Sequence, residues 1–328
     1  MAQPPRAALL LAAACLIGFM AGGGARASVA LLTDSEARQA TFTTAASFDT
    51  VAPTVARSVI SKTTPYTPGY LKQGGTYYVY AQVTDGGAVP SGVSTVTANV
   101  SNVTTGQTAL SLASGSFSVG GISYNYRSAS LTANAVLTEG SKSYTITSTD
   151  VAGNSATSSG WSVTVDNTHP SGSDVQTANA GVTGRPEISD TITFTFSEPI
   201  DPETVLSGWT GASTSVVVRI TNAGGATGDQ VTVRNLANIT QLPLGQVNLI
   251  GTGYVTTNRD FGATGTASTM VLSGNTIVIT LGTASGAVTT QATGSNMLWT
   301  PTATMTDRAA NTCLTTLVTE SGTLDLDF

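Results

Sequence analysis

Apolar and polar residues alternate along most of this chain with a period of two. Between Ser143 and Gly172, Tyr144, Ile146 and Ser148 interleave with Thr145, Thr147 and Thr149, and further on Trp161, Val163 and Val165 interleave with polar neighbours. Successive side chains of a strand point to opposite faces, so the pattern predicts two strands, each with one buried face. Between them the segment DVAGN (Asp150 to Asn154) supplies turn residues, which makes the pair a hairpin. The second strand ends at DNTHP (Asp166 to Pro170), where a proline cannot donate to a ladder.

The same alternation recurs on both sides. Upstream, TVARSVI, GTYYVYAQVTD, STVTANVSNV, TALSLAS and ISYNYRSASLT join SYTITSTD and WSVTV to give seven predicted strands between residues 49 and 166. Downstream, DTITFTF, TSVVVRIT, DQVTVRNL, GQVNLIG, NTIVITLG, MLWTPTATMTD and the terminal TLDLDF read as strands. SEPIDPET (Ser197 to Thr204) reads as a turn fixed by its prolines, and Gly251 to Ser268 as a loop-rich insertion. No sustained 3.6-residue period occurs, which excludes helical bundles and α/β folds.

Two punctuation marks are written twice. FDTVAPTV (Phe48 to Val55) matches VDNTHPSG (Val165 to Gly172) as apolar-Asp-x-x-x-Pro, and the turn TDVAGN (Thr149 to Asn154) matches TDRAAN (Thr306 to Asn311). An opening mark, a body and a closing hairpin, repeated, predict a two-unit tandem in which the second body is the longer. The boundaries that follow are residues 1–27, 28–48, 49–166 and 167–328. The strand count and spacing of each body suit a Greek-key β-sandwich of a size that folds alone.

Composition places the chain outside the cell. Residues 1–27 carry Arg6, an apolar run from Ala7 to Ala21 and a closing Ala25-Arg26-Ala27, the three regions of a secretory signal peptide. The run is shorter than the roughly 20 residues that span a bilayer. LAAAC ending at Cys15 is close to a lipobox, which leaves a lipidated start as the alternative. Only 10% of residues are charged, against about 25% in an ordinary domain. The surface must therefore be wetted by hydroxyls and amides, while 40% hydrophobic residues suffice to build cores. Formal net charge is −6, and loss of Arg6 and Arg26 with the signal makes it more negative. No basic cluster exists to attract nucleic acid or an anionic membrane surface. After signal removal Cys313 is the one cysteine remaining, so an intrachain disulfide is excluded; a small buried apolar residue is expected there, with an intermolecular bridge as the other reading.

Two resemblances add to this reading. LLTDSEARQATFTTAASFD (Leu31 to Asp49) resembles the mature start of exported bacterial proteins of the TasA-like, SipW-processed class, with Leu32 before TDS and no Gly after Thr43 as departures. That likeness implies polymerisation into surface fibres by strand exchange through residues 28–48. In-chain docking of Val29, Leu31, Leu32, Phe42 and Phe48 as an edge strand is the simpler alternative. The DVAGN turn and the D-x-x-x-P mark of residues 49–166 resemble bacterial Ig-like domains, and TFSEPIDPET resembles the opening of S-layer-type Ig-like domains. The resemblance implies an all-β protein of two tandem immunoglobulin-like Greek-key β-sandwiches following the signal peptide and a short N-terminal strand.

Catalytic chemistry finds little to work with. The single histidine, His169, lies beside Pro170 in the predicted linker, a poor base for a nucleophilic triad. Glu198, Asp201 and Glu203 could form a glycosidase-like pair but are better read as acids solvating a proline turn. Hard oxygen ligands at the body ends, Asp150, Asn154 and Asp166 with Asp307 and Asn311 repeating the theme, make calcium the metal to consider. Side chain to backbone bonds within their own turns are the competing role for these residues. Trp161 is expected in the core, while Trp209 in SGWTG has the loop setting of a sugar platform.

The expectation is thus a non-enzymatic, exported bacterial cell-surface or extracellular structural or adhesive protein, with no cofactor unless calcium. Its partners would be other surface or matrix proteins, or further copies joined through residues 28–48. Two alternatives stand beside it: the strand-exchanging fibre subunit, and a secreted carbohydrate-binding or hydrolytic accessory protein with a site between Gly208 and Gly265.

Overall fold

The structure, a computed structural model, describes residues 48–62, 67–223, 227–324 and 326–328. The expected N-terminal signal and all of the arm before Phe48 lie outside the described residues. Nine strands come first: β1 (Thr54–Ser61), β2 (Tyr70–Leu71), β3 (Thr76–Thr84), β4 (Val93–Asn99), β5 (Leu110–Val119), β6 (Ile122–Ser128), β7 (Leu131–Thr132), β8 (Gly140–Asp150) and β9 (Ser155–Val165). Then follow β10 (Gly172–Ala178), β11 (Thr191–Phe196), the short helix α1 (Pro202–Val205), β12 (Thr214–Thr221), β13 (Gln230–Asn235) and β14 (Gln246–Asn248). The last strands are β15 (Arg259–Phe261), β16 (Ser268–Ser273), β17 (Thr276–Thr280), β18 (Leu298–Thr300) and β19 (Val318–Thr319).

The protein is all-β, with two large sheets. The first runs β1-β3-β6-β5-β4-β8-β9-β2, with β7 paired to β3; the second runs β10-β11-β17-β16-β12-β13-β14-β18-β19, with β15 paired to β12. Each is one continuous path: in the first, β5 pairs with β6 and also with β4 at Leu110 and Ser111, and in the second, β12 pairs with both β16 and β13. Each path nearly closes on itself. In the first, Gly69 N–H donates to the Ile60 carbonyl at 3.0 Å while the Gly69 carbonyl accepts from Thr164 N–H at 2.9 Å, stitching β1 to β9. Gly69 holds φ at 89°, a conformation that costs glycine nothing. In the second, Asp174 on β10 accepts from Ser321 N–H and Oγ just after β19, at 2.9 and 2.8 Å.

Alternation decides which residues are buried. Tyr144, Ile146 and Ser148 face the first core, and Ile192, Phe194 and Phe196 the second. Across the closing hairpin the register shifts by one residue, Tyr144 facing Trp161 and Ile146 facing Ser158. Gly160, at φ 89°, lies in this bulge and leaves Trp161 half-buried at the core edge. The two cores are separate. One gathers Ile60, Leu71, Tyr77, Val79, Ile146 and Val163; the other packs Phe194 and Phe196 edge-on against Trp299, both at 5.1 Å between ring centroids. Gly172 is required beside that ring, since a Cβ would meet Trp299 and Val318 at 2.7 Å.

Four local expectations are corrected. SEPIDPET contains a one-turn helix, with Pro202 at its first position and Asp201 as N-cap, where Asp201 Oδ1 accepts from Glu203 N–H. MLWTPTATMTD is a strand only over Leu298–Thr300, because Pro301 cannot extend the ladder. Among the described residues of TLDLDF there is no strand: Asp327 and Phe328 are both buried, and burial of consecutive residues does not fit a period of two. The loop-rich stretch from Gly251 carries β15, which continues the partnership of β12 beyond β16.

Candidate functional site

The two closing turns share one set of hydrogen bonds. In the first, Asn154 N–H and Nδ2 donate to the two oxygens of Asp150, both at 2.8 Å, and Asp150 N–H donates back to the Asn154 carbonyl at 3.0 Å. In the second, Asn311 N–H and Nδ2 donate to the two oxygens of Asp307, both at 2.8 Å, and Asp307 N–H donates to the Asn311 carbonyl at 3.1 Å. The spare amide proton of each asparagine reaches the opening mark of its own half, Asn154 to the Asp49 carbonyl at 3.1 Å and Asn311 to the Asp166 carbonyl at 2.9 Å. A short polar side chain that satisfies backbone groups on both sides explains why Asp and Asn occupy these positions.

Each arrangement gathers three carboxylates. Asp49, Asp85 and Asp150 bring one oxygen apiece within 4.8 Å of each other, and so do Asp166, Glu198 and Asp307. The five residues singled out in the sequence are thereby divided. Asp150 and Asn154 belong to the first cluster, while Asp166, adjacent to them along the chain, joins Asp307 and Asn311 in the second. Asp49, Asp85 and Glu198 escaped the sequence reading as ligands. Their signal was the repeat itself: Asp49 and Asp166 head the two opening marks, and Asp85 and Glu198 follow the long strands β3 and β11.

The electrostatics of the clusters differ. Hydrogen bonds from Ser91 and Val51 hold the half-buried Asp49 carboxyl below its ordinary value. Burial and the nearby Asp166 and Asp307 push Glu198 up to about 7, and burial raises Asp307 as well. In both clusters one carboxylate oxygen is buried with no hydrogen-bond partner, Asp85 Oδ1 in the first and Glu198 Oε1 in the second. Calcium takes six to eight oxygen ligands, so either triad would supply part of a shell that carbonyls and water complete. Cys313 is buried beside the second cluster, its thiol pushed up to about 11 by burial and by Glu198.

The second closing turn also touches the first sheet. Lys62, after β1, pairs with the buried Asp201 at 2.6 Å, and Lys72, after β2, donates to the Ala310 carbonyl at 2.7 Å. Arg308 stacks over the Tyr70 ring, 4.2 Å from its centroid. The segment between the sheets is held as well: Asp166 N–H donates to the Leu71 carbonyl, His169 Nδ1 lies 2.7 Å from the Thr312 carbonyl, and Leu314 N–H donates to the Pro170 carbonyl. Trp209, expected in an exposed loop, is buried, with Nε1 donating to the Ala212 carbonyl at 2.6 Å.

No family model matches the chain, and no curated protein matches it. Among solved structures it is similar to dimeric latent PorU from Porphyromonas gingivalis, at 15% identity and a TM-score of 0.21, over 74% of this chain and 21% of that one. A superposition of that quality carries neither fold detail nor function across.

Proposed function

We propose that the chain is a non-enzymatic, exported bacterial surface or extracellular protein that acts as a rigid two-module stalk or adhesive subunit, each module an Ig-like sandwich in the broad sense. The observation that carries this reading is the joint. Residues 166–171 are tied to β2 on one side and to the second closing turn on the other, and the Lys62–Asp201 pair bridges the sheets with Asp201 almost fully buried. A buried ion pair fixes geometry more than it adds stability. A stalk that holds a shape needs a joint of that kind. Negative-stain microscopy of the mature protein tests the reading: particles of one fixed outline support it, and a continuum of bend angles overturns it. Deleting residues 28–48 separates monomeric stalk from fibre subunit, since a fibre subunit loses its high-mass assemblies and a stalk is unchanged.

A second reading, calcium at the two carboxylate triads, is favoured by the matched buried oxygens of Asp85 and Glu198. The test is thermal melting of the mature protein with calcium and with chelator. A midpoint raised by calcium, and restored to the chelator value in Asp85→Asn combined with Glu198→Gln, supports the reading; an unchanged midpoint removes it.

A further inference from the structure

A cavity of about 740 Å³ opens between parts contributed by both sheets. One wall is the tip of the β5–β6 hairpin, with Ser118 and Gly121; the other is the segment from α1 towards β12, with Glu203, Trp209 and Thr210. Thr67, just before β2, also lines it. That volume lies within the roughly 300–1,000 Å³ of ordinary small-molecule sites. A smaller cavity of about 230 Å³ shares Trp209 and Thr210, so the space continues along the same segment.

The lining selects a class of ligand. Three hydroxyls, from Thr67, Ser118 and Thr210, can each donate and accept, and the Glu203 carboxylate accepts. Glu203 is the one charged side chain in the lining, so an anion would meet no counter-charge there. Trp209, its Nε1 committed to Ala212, is buried in the wall and backs the cleft without presenting a ring face to it. Glycine walls add bare backbone: a Cβ at Gly121 or Gly208 would have no atom within 4 Å, leaving room for a ligand to approach the main chain. Vicinal hydroxyls opposite a carboxylate and hydroxyl side chains, with no counter-charge for an anion, describe a neutral sugar.

We propose that this cleft binds a neutral saccharide, with Glu203 accepting hydrogen bonds from ring hydroxyls and Thr210 and Ser118 bracketing them from opposite walls. The proposal goes beyond the stalk reading and does not depend on it, because the cleft would bind sugar whether or not the molecule serves as a scaffold.

The experiment is calorimetric titration of the full mature chain with cellohexaose, chitohexaose and maltohexaose. At least one is expected to bind. Glu203→Gln is expected to weaken that binding about tenfold, and Thr210→Trp, at an exposed position on the cavity wall, to abolish it by filling the space. Val136→Trp, at a site 87% exposed and absent from the lining, serves as control and is expected to bind as the parent does. Circular dichroism and melting of each variant establish that it is folded, and Thr210→Trp keeps the test decisive if Glu203→Gln loosens α1. Lack of binding by all three sugars at millimolar concentration overturns the proposal, as does binding that Thr210→Trp and Val136→Trp leave equally intact.

Discussion

The first and second closing turns share their Asp and Asn at the same spacing and make the same hydrogen bonds, yet one is a turn at a sheet end and the other is a joint. Around Asp150 and Asn154 the third acid, Asp85, accepts from Gly92 N–H within its own half, and hydrogen bonds from Ser91 and Val51 stabilise the charge of Asp49. Around Asp307 and Asn311 the turn also holds Lys72 and Arg308 against the first sheet, and Glu198 is desolvated enough to keep its proton near neutral pH. The lesson is that a repeated motif fixes local geometry, whereas the surroundings packed against it fix its chemistry. A turn of five residues can satisfy its own donors, but it cannot choose its dielectric.

The comparison can be broken most forcefully in the cores. Trp299→Ala removes a fully buried ring that both Phe194 and Phe196 contact and is expected to cost about 4 kcal/mol. Urea unfolding followed by probes in each half should show that loss only in the transition of residues 167–328; an equal shift in both halves would mean that they unfold as one unit. Next comes the joint itself. Lys62→Ala leaves the Asp201 carboxylate buried without its cation and is expected to destabilise the protein by about 3 kcal/mol, read from the denaturant midpoint. A loss below about 1 kcal/mol, the range of exposed pairs, would show that this bridge is solvated and the joint loose.

Between the two turns the expected difference is smaller. Asn311 is itself buried while Asn154 is half-buried, so Asn311→Ala leaves its partners less open to water and losses of about 2 and about 1 kcal/mol are expected from the same unfolding measurement. Equal losses would erase the distinction drawn between them. The pH dependence sharpens it further. Glu198 titrates near 7 in the folded protein against an ordinary 4.5 in the unfolded chain. Between those values the native state binds more protons, so this group makes stability fall as pH rises from about 4.5 to about 7, with the loss complete above 7. Glu198→Gln should flatten that part of the stability profile and raise the midpoint at pH 8; an unaltered profile would place the carboxyl in solvent.

Much of this protein was legible from its sequence. The period of two in Tyr144, Ile146 and Ser148, and in Ile192, Phe194 and Phe196, determined both the strands and their buried faces, because a strand has only two sides and water decides between them. The doubled Asp-to-Asn turn was equally visible, since its hydrogen bonds close within five residues. What tertiary structure decided was everything that depends on partners distant along the chain. Asp85 and Glu198 read as ordinary strand-end acids until folding brings Asp49 and Asp150, or Asp166 and Asp307, to within 4.8 Å. Trp209 reads as an exposed platform until a local turn gives its Nε1 the Ala212 carbonyl and buries the ring. The cleft of Ser118, Glu203 and Thr210 joins residues from both sheets, and no local periodicity encodes a meeting between segments so far apart. Local physics writes the strands and turns; the position of one core against another assigns them their roles.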